Sequence, residues 1–192
     1  MNRNRQEAQK PMSGLAFTVM RTVMSLRRRF RNVDAELSLA GIRAGDRILD
    51  FGCGLGYNTI PAAMKVGIGG RVIAQDVSPR ALRIVRKKAS RCGLRNIDYS
   101  LSDCNTGLES ESTDIVYLHN TLPLVKDKHA ALKEIARVLK PDGKLSYMSR
   151  AGSRLFGKDD LNQRELKDYL GSELQLIPFI EHNGHLIFKK EK

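Results

Sequence analysis

The 192-residue sequence predicts an α/β fold, a parallel sheet covered by helices on both faces, and three observations predict it. Strand-like apolar runs alternate with helical stretches from Arg47 onward. The first run, RILDF, ends at an acid and opens into a glycine-rich bend, FGCGLG. The alternation then breaks near the C-terminus, where two apolar runs flank Asn183-Gly184, a strong hairpin signal.

Residues 1–12 read as a polar leader without the apolar core of a secretory signal. Gly14 to Phe30 reads as a helix, with Val19, Val23, Leu26 and Phe30 at helical spacing and Met20 and Met24 beside them. It ends in RRRFR, where cations suit the negative end of the helix dipole. A short helix over Val33–Leu39 stops near Gly41. Residues 1–40 are therefore expected to form a basic helical segment, and 41–192 a single α/β domain.

Strands are expected at 47–51, 71–76, 97–103, 114–120 and 144–149. Helices are expected at Asn58–Val66, at Pro79–Cys92 with Ser78 as N-cap, at Asp127–Leu139 and at about Gln163–Leu170. The stretch CNTGLESEST is too polar for a helix. LQLIPFI and HLIFKK form the closing hairpin.

The totals narrow the function. A formal net charge of +12 is uneven: residues 1–31 hold eight basic residues against Glu7, and Arg80, Arg83, Arg86, Lys87, Lys88, Arg91 and Arg95 form a second cluster. Such patches suit nucleic acid, an anionic membrane or a plain solvated surface. No run is long and apolar enough for a membrane span. Cys53, Cys92 and Cys104 are sparse and lack CxxC spacing, which fits reduced thiols in a cytoplasm and no metal site.

The glycine bend places backbone at the C-terminal edge of the sheet, where side chains would block a ligand. A dinucleotide fingerprint would need a third glycine where Tyr57 stands, and a P-loop would need a lysine followed by Ser or Thr. The spacing is instead GxGxG after Asp50. Further acids, Asp76 and Asp103, close the second and third strands. A carboxylate at the second can accept two hydrogen bonds from a ribose diol. One adenosine-sized ligand would lie across the three neighbouring strand ends.

LDFGCGLG, QDVSPRAL, LSDCN, DIVYLHNTLP and LKEIARVLKPDGKL, in that order over roughly residues 40–150, resemble the class I S-adenosylmethionine (SAM) dependent methyltransferase family, most of all its small archaeal and bacterial members. The resemblance implies a Rossmann-like, three-layer fold with seven strands ordered 3-2-1-4-5-7-6, the seventh antiparallel. It also implies that SAM is bound and S-adenosylhomocysteine released. By this likeness Gly52, Cys53, Gly54 and Gly56 pass under the methionine part, and Asp50 orders that loop. Asp76 holds the ribose hydroxyls, Val77 lies against adenine, and Asp103 with the Cys104 N–H meets its amino edge.

His119, Asn120 and Thr121 follow the fourth strand at the acceptor side, with His119 a candidate general base and a candidate pocket wall. The sequence there, NTLP, lacks the Asn/Asp-Pro-Pro-Tyr/Phe of members that methylate base or glutamine amino groups. The cysteines are not grouped as in arsenite-methylating members. A small-molecule acceptor is expected, with Met20, Met24 and Phe30 as an apolar lid. RNA methylation and a non-catalytic SAM-binding partner protein are the alternatives. A monomer and a homodimer stay equally open.

Overall fold

A computed structural model describes residues 33–149 and 162–191. The expected helix at Gly14–Phe30 and its lid residues lie outside the described residues. Helix α1 (Val33–Ala40) leads into strand β1 (Arg47–Phe51), then α2 (Thr59–Val66), β2 (Arg71–Asp76), α3 (Pro79–Arg91) and β3 (Ile97–Leu101). Strand β4 (Thr113–His119), a 3-10 turn at Leu122–Leu124, α4 (Lys128–Val138), β5 (Leu139–Met148), α5 (Gln163–Leu174), β6 (Leu176–His182) and β7 (His185–Lys190) complete the order.

The seven strands form one sheet, β3-β2-β1-β4-β5-β7-β6. The first five are parallel, and β7 runs antiparallel to both β5 and β6. This is the doubly wound, three-layer arrangement expected above. The chain turns outward in both directions from β1 and β4, so the tips of β1, β2 and β4 meet at the crevice where such sheets take ligands.

Alternate residues of each strand feed two cores. Leu49, Phe51, Val116 and Leu118 face α4 and α5, including Leu132, Ile135, Leu166 and Leu170. Ile48, Val72, Ala74, Ile115 and Tyr117 face the other side, with Leu37 and Ala40 of α1, Ala62 and Val66 of α2, and Val85 and Ala89 of α3. The near-continuous apolar runs of the central strands follow from burial on both faces.

Local chemistry explains the boundaries. Ser78 caps α3 by accepting from the Ala81 N–H at 3.3 Å, with Pro79 at the first helical position. Asp127 caps α4 through the Ala130 N–H. Asn162 and Glu165 form a reciprocal capping box on α5. That helix runs four residues beyond the expected Leu170, because Leu174 still packs on the core and the chain turns out at Gln175, in the left-handed region. Strand β5 starts earlier than expected. Leu139 pairs with Thr113, the Pro141-Asp142-Gly143 segment bulges, and pairing resumes at Lys144 with Ile115. Asn183 and Gly184, both at positive φ, make the hairpin turn.

The polar stretch between β3 and β4 is irregular, as its composition implied. Two side chains of α4 hold it in place. Glu134 accepts from the Thr106 N–H at 3.0 Å and from its hydroxyl, while Arg137 donates to the Leu108 carbonyl at 2.7 Å and to Ser110. Arg137 and Glu134 also pair with each other at 2.7 Å. The Arg137 guanidinium, foremost, holds the Glu134 carboxyl down at about 2.

Candidate functional site

The glycine bend joins β1 to α2, and its three glycines do three different things. All have positive φ, which side chains tolerate poorly. A Cβ on Gly52 would overlap the Thr121 side chain at the tip of β4. A Cβ on Gly56 would press on Val85 of α3 at 3.0 Å. A Cβ on Gly54 would meet nothing within 4 Å. Gly52 and Gly56 are thus required by packing, and Gly54 opens space.

The backbone N–H groups of the bend are already spent. Gly52 and Cys53 donate to the Gln75 carbonyl at 2.9 and 2.8 Å, Gly56 donates to the Cys53 carbonyl, and Gly54 donates to Asp76 Oδ2 at 2.8 Å. None of these four N–H groups is left over for a ligand. The bend is a shaped floor with carboxylates beside it, unsuited to a phosphate and suited to a neutral or cationic group.

Asp76, at the tip of β2, accepts from Gly54 on one oxygen and from the Ser78 N–H at 2.8 Å on the other. Burial raises its pKa above the ordinary carboxylate value, against the lowering effect of these N–H groups and that of Val77. With three N–H groups directed at it, the carboxylate still keeps a lone pair for a ligand. Val77 follows, half-buried.

Asp76 pairs with Leu101 of β3, and the chain passes Ser102 to reach Asp103. The structure thus brings the two acids to adjacent strand tips. The Asp103 side chain is exposed and takes no hydrogen bond among the described residues. The Cys104 N–H likewise has no partner among them, while its thiol donates weakly to the Asp127 carbonyl. Asp50 is 2% exposed and accepts from the Thr59 hydroxyl at 2.5 Å, which ties the strand tip to the first turn of α2. Cys53 is buried, and its thiol is pushed well up by burial, then by Asp50 and Asp76, so it serves as a small spacer.

On the other side of β1, His119 at the tip of β4 is 8% exposed, and both ring nitrogens are engaged. Asn58 donates its amide to Nδ1 at 3.3 Å. Nε2 then carries the proton and donates to Ser146 Oγ at 2.8 Å, whose hydroxyl donates to His185 Nε2 at 2.7 Å. The two imidazoles meet edge-on, 5.1 Å between centres. This directed chain joins the N-cap of α2 to β4, β5 and β7.

Several residues here were not legible from motifs. Gln75 and Thr121 brace the bend. Lys88 donates to the Leu55 carbonyl at 2.6 Å and lies 4.7 Å over the Tyr57 ring. Asn58, Ser146 and His185 complete the His119 chain. An exposed basic stripe was legible: Arg83, Lys87 and Arg91 lie four residues apart along α3, Arg95 follows, and none of the four has a partner among the described residues.

Comparison with known proteins gives a consistent picture. A family model described as a methyltransferase domain matches residues 49–147. Aklanonic acid methyltransferase DauC of Streptomyces sp. (strain C5) is 37% identical over 57% of this chain and 51% of its own length. The ubiquinone/menaquinone biosynthesis C-methyltransferase UbiE of Hydrogenovibrio crunogenus is 35% identical over 69% of this chain and 53% of its own. The chain thus spans about half the length of these relatives. Among solved structures, a SAM dependent methyltransferase from Aquifex aeolicus superposes with a TM-score of 0.69 at 20% identity, covering 82% of this chain and 88% of that one. The [4+2]-cyclase SpnF superposes at 0.57 with 26% identity, over 65% and 47%.

Proposed function

Because the chain belongs to the class I SAM-dependent methyltransferase family, we propose that it transfers the methyl group of SAM to a small-molecule acceptor. The observation that carries this reading is the corner at the β1 and β2 tips. There Asp76 holds the N–H of Gly54, whose missing side chain leaves open space, and Asp103 and the Cys104 N–H stand unspent just beyond the tip of the next strand. SAM fits this donor set, since its sulfonium and ammonium favour nearby carboxylates and its ribose and adenine need acceptors and an N–H.

When bound, SAM supplies an already activated methyl. The chain must hold ligand and acceptor in line and exclude water. Asp76 grips the ribose diol, Val77 lies against the adenine, and Asp103 and the Cys104 N–H address the adenine edge. Gly52, Cys53, Gly54 and Gly56 floor the methionine part, and Asp50 holds that floor through Thr59. His119 acts in this reading as a wall of the acceptor side, because both its nitrogens are committed to Asn58 and Ser146.

The relatives named for aklanonic acid and for quinone biosynthesis support a small acceptor. The fold of a [4+2]-cyclase is similar enough that binding alone is an insufficient test. The decisive experiment pairs calorimetry for SAM and S-adenosylhomocysteine with transfer of labelled methyl to a panel of small phenols, quinols and enols. Binding of both ligands and label on one acceptor class is expected. Failure of both ligands to bind rejects the proposal. The unpartnered α3 stripe carries a second reading, RNA as acceptor. It requires RNA affinity that falls steeply with salt, and no RNA binding at low salt removes it.

A further inference from the structure

Gln75 sits where the loops of this corner meet, and three hydrogen bonds run through it. Its backbone carbonyl takes the Gly52 and Cys53 N–H groups at 2.9 and 2.8 Å. Its side-chain Nε2 donates to the Asp103 carbonyl. The amide orientation follows from chemistry, since a carbonyl partner requires the NH2 end. Gln75 is 1% exposed, and the other end of its amide, Oε1, is buried without a partner.

That orphan oxygen is the informative feature. A buried acceptor without a partner destabilises the fold, whereas an apolar side chain of similar shape would not. Its neighbours on the same face of β1 and β2, Phe51 and Ile73, are apolar. What the amide gives in return is one bond, to the main chain of Asp103. The loop from Ser102 to Ser112 is irregular, and Asp103 lies at its start, exposed. Glu134 and Arg137 fasten the loop farther along, at Thr106, Leu108 and Ser110. Gln75 fastens it at the residue whose carboxylate and following N–H face the ligand.

We infer that Gln75 is a positioning residue for base recognition: it fixes the Asp103 main chain relative to the Gly52–Cys53 bend, so that the Asp103 carboxylate and Cys104 N–H read the amino edge of adenine. The inference rests on the proposed function. It predicts a specificity effect that a structural role in the core does not.

The test replaces Gln75 by Met, which keeps length and removes the N–H. Affinities for S-adenosylhomocysteine and S-inosylhomocysteine, which carries an oxo group in place of the 6-amino group, are measured by calorimetry on the full chain. Wild type prefers the adenosine ligand, and Gln75→Met shrinks that preference by about tenfold, mainly through weaker adenosine binding. Thermal stability is unchanged or higher, since the orphan oxygen is gone. An equal loss for both ligands, or no loss, overturns the inference and leaves the methyltransferase reading standing. Failure of wild type to bind the adenosine ligand removes both. Should Gln75→Met not fold, the wild-type side-chain amide decides by NMR: slow hydrogen exchange in the free and ligand-bound protein supports the bond to Asp103, and fast exchange in both overturns it.

Discussion

At the C-terminal edge of the sheet, the tips of β1, β2 and β3 differ from those of β4, β5 and β7 in how they treat polar groups. The first three are tied mostly through main chain: Gly52 and Cys53 to the Gln75 carbonyl, Gly54 and Ser78 to Asp76, Gln75 to the Asp103 carbonyl. This leaves the Asp103 carboxylate, the Cys104 N–H and the space over Gly54 unspent. The other three add to the main-chain bond from Asn120 to Met148 a chain of side chains, Asn58 to His119 to Ser146 to His185, and each of these links consumes a side chain at both ends. Both regions are polar, and the two touch where Thr121 fills the place of a Gly52 side chain. On the proposed function, the difference separates binding from holding. In that reading, a region that recognises a ligand meets its internal hydrogen bonds largely against backbone and keeps the Asp103 carboxylate in reserve. A region that holds strands together closes its polar groups on each other.

The largest effect expected on this contrast is in the first region. Asp76→Ala removes the acceptor of the Gly54 and Ser78 N–H groups and, on the proposed function, of the ribose, and S-adenosylhomocysteine affinity should fall by about 100-fold or more by calorimetry. In the wild type, binding should fail on acidification at a pH above the ordinary carboxylate range, because burial has raised the Asp76 pKa and the proposed contact with the ribose needs the carboxylate. A loss of less than about threefold in Asp76→Ala would break the assignment of this corner as the binding half.

A smaller effect, of a different kind, is expected in the second region. Ser146→Ala strands the two buried imidazole nitrogens that its hydroxyl joins, and should cost about 2 kcal/mol in denaturant unfolding. S-adenosylhomocysteine affinity should change by less than about threefold. An affinity loss matching that of Asp76→Ala would erase the distinction between the halves.

The smallest effect concerns the strut behind Asp103. Glu134 has its folded pKa depressed from 4.5 to about 2, mainly by Arg137. The stability it contributes is therefore complete above pH 4.5 and is lost as pH falls toward 2. With Arg137 partly solvated, that contribution is about 1–2 kcal/mol. Glu134→Gln should abolish this part of the acid dependence of unfolding, and an unchanged pH profile would show that the strut holds nothing.

Much of the binding half was legible because its signals are local. Glycines two residues apart need an unusual backbone whatever the surroundings, an acid ending an apolar run lies at a strand tip, and Ser78-Pro79 or Asn183-Gly184 fix their turns within four residues. Hence Asp50, Gly52, Gly54, Gly56, Asp76 and Asp103 were named from residue order, and the resemblance of the ordered motifs gave the strand order. The same reading could not separate the three glycines, since their roles depend on Thr121, Val85 and an absence of neighbours. It also gave His119 two open roles, because its partners lie 61 and 27 residues away.

The sequence by itself determined the alternation of strand and helix, the bend, the acids beside it and the closing hairpin, since backbone conformation and burial pattern are written in neighbouring residues. Tertiary structure decided which polar groups are spent and which are left over. A hydrogen bond needs two partners within about 3 Å, and sheet order brings Asn58, Ser146 and His185 to His119, and Gln75 to Asp103, where no spacing along the chain foretells it.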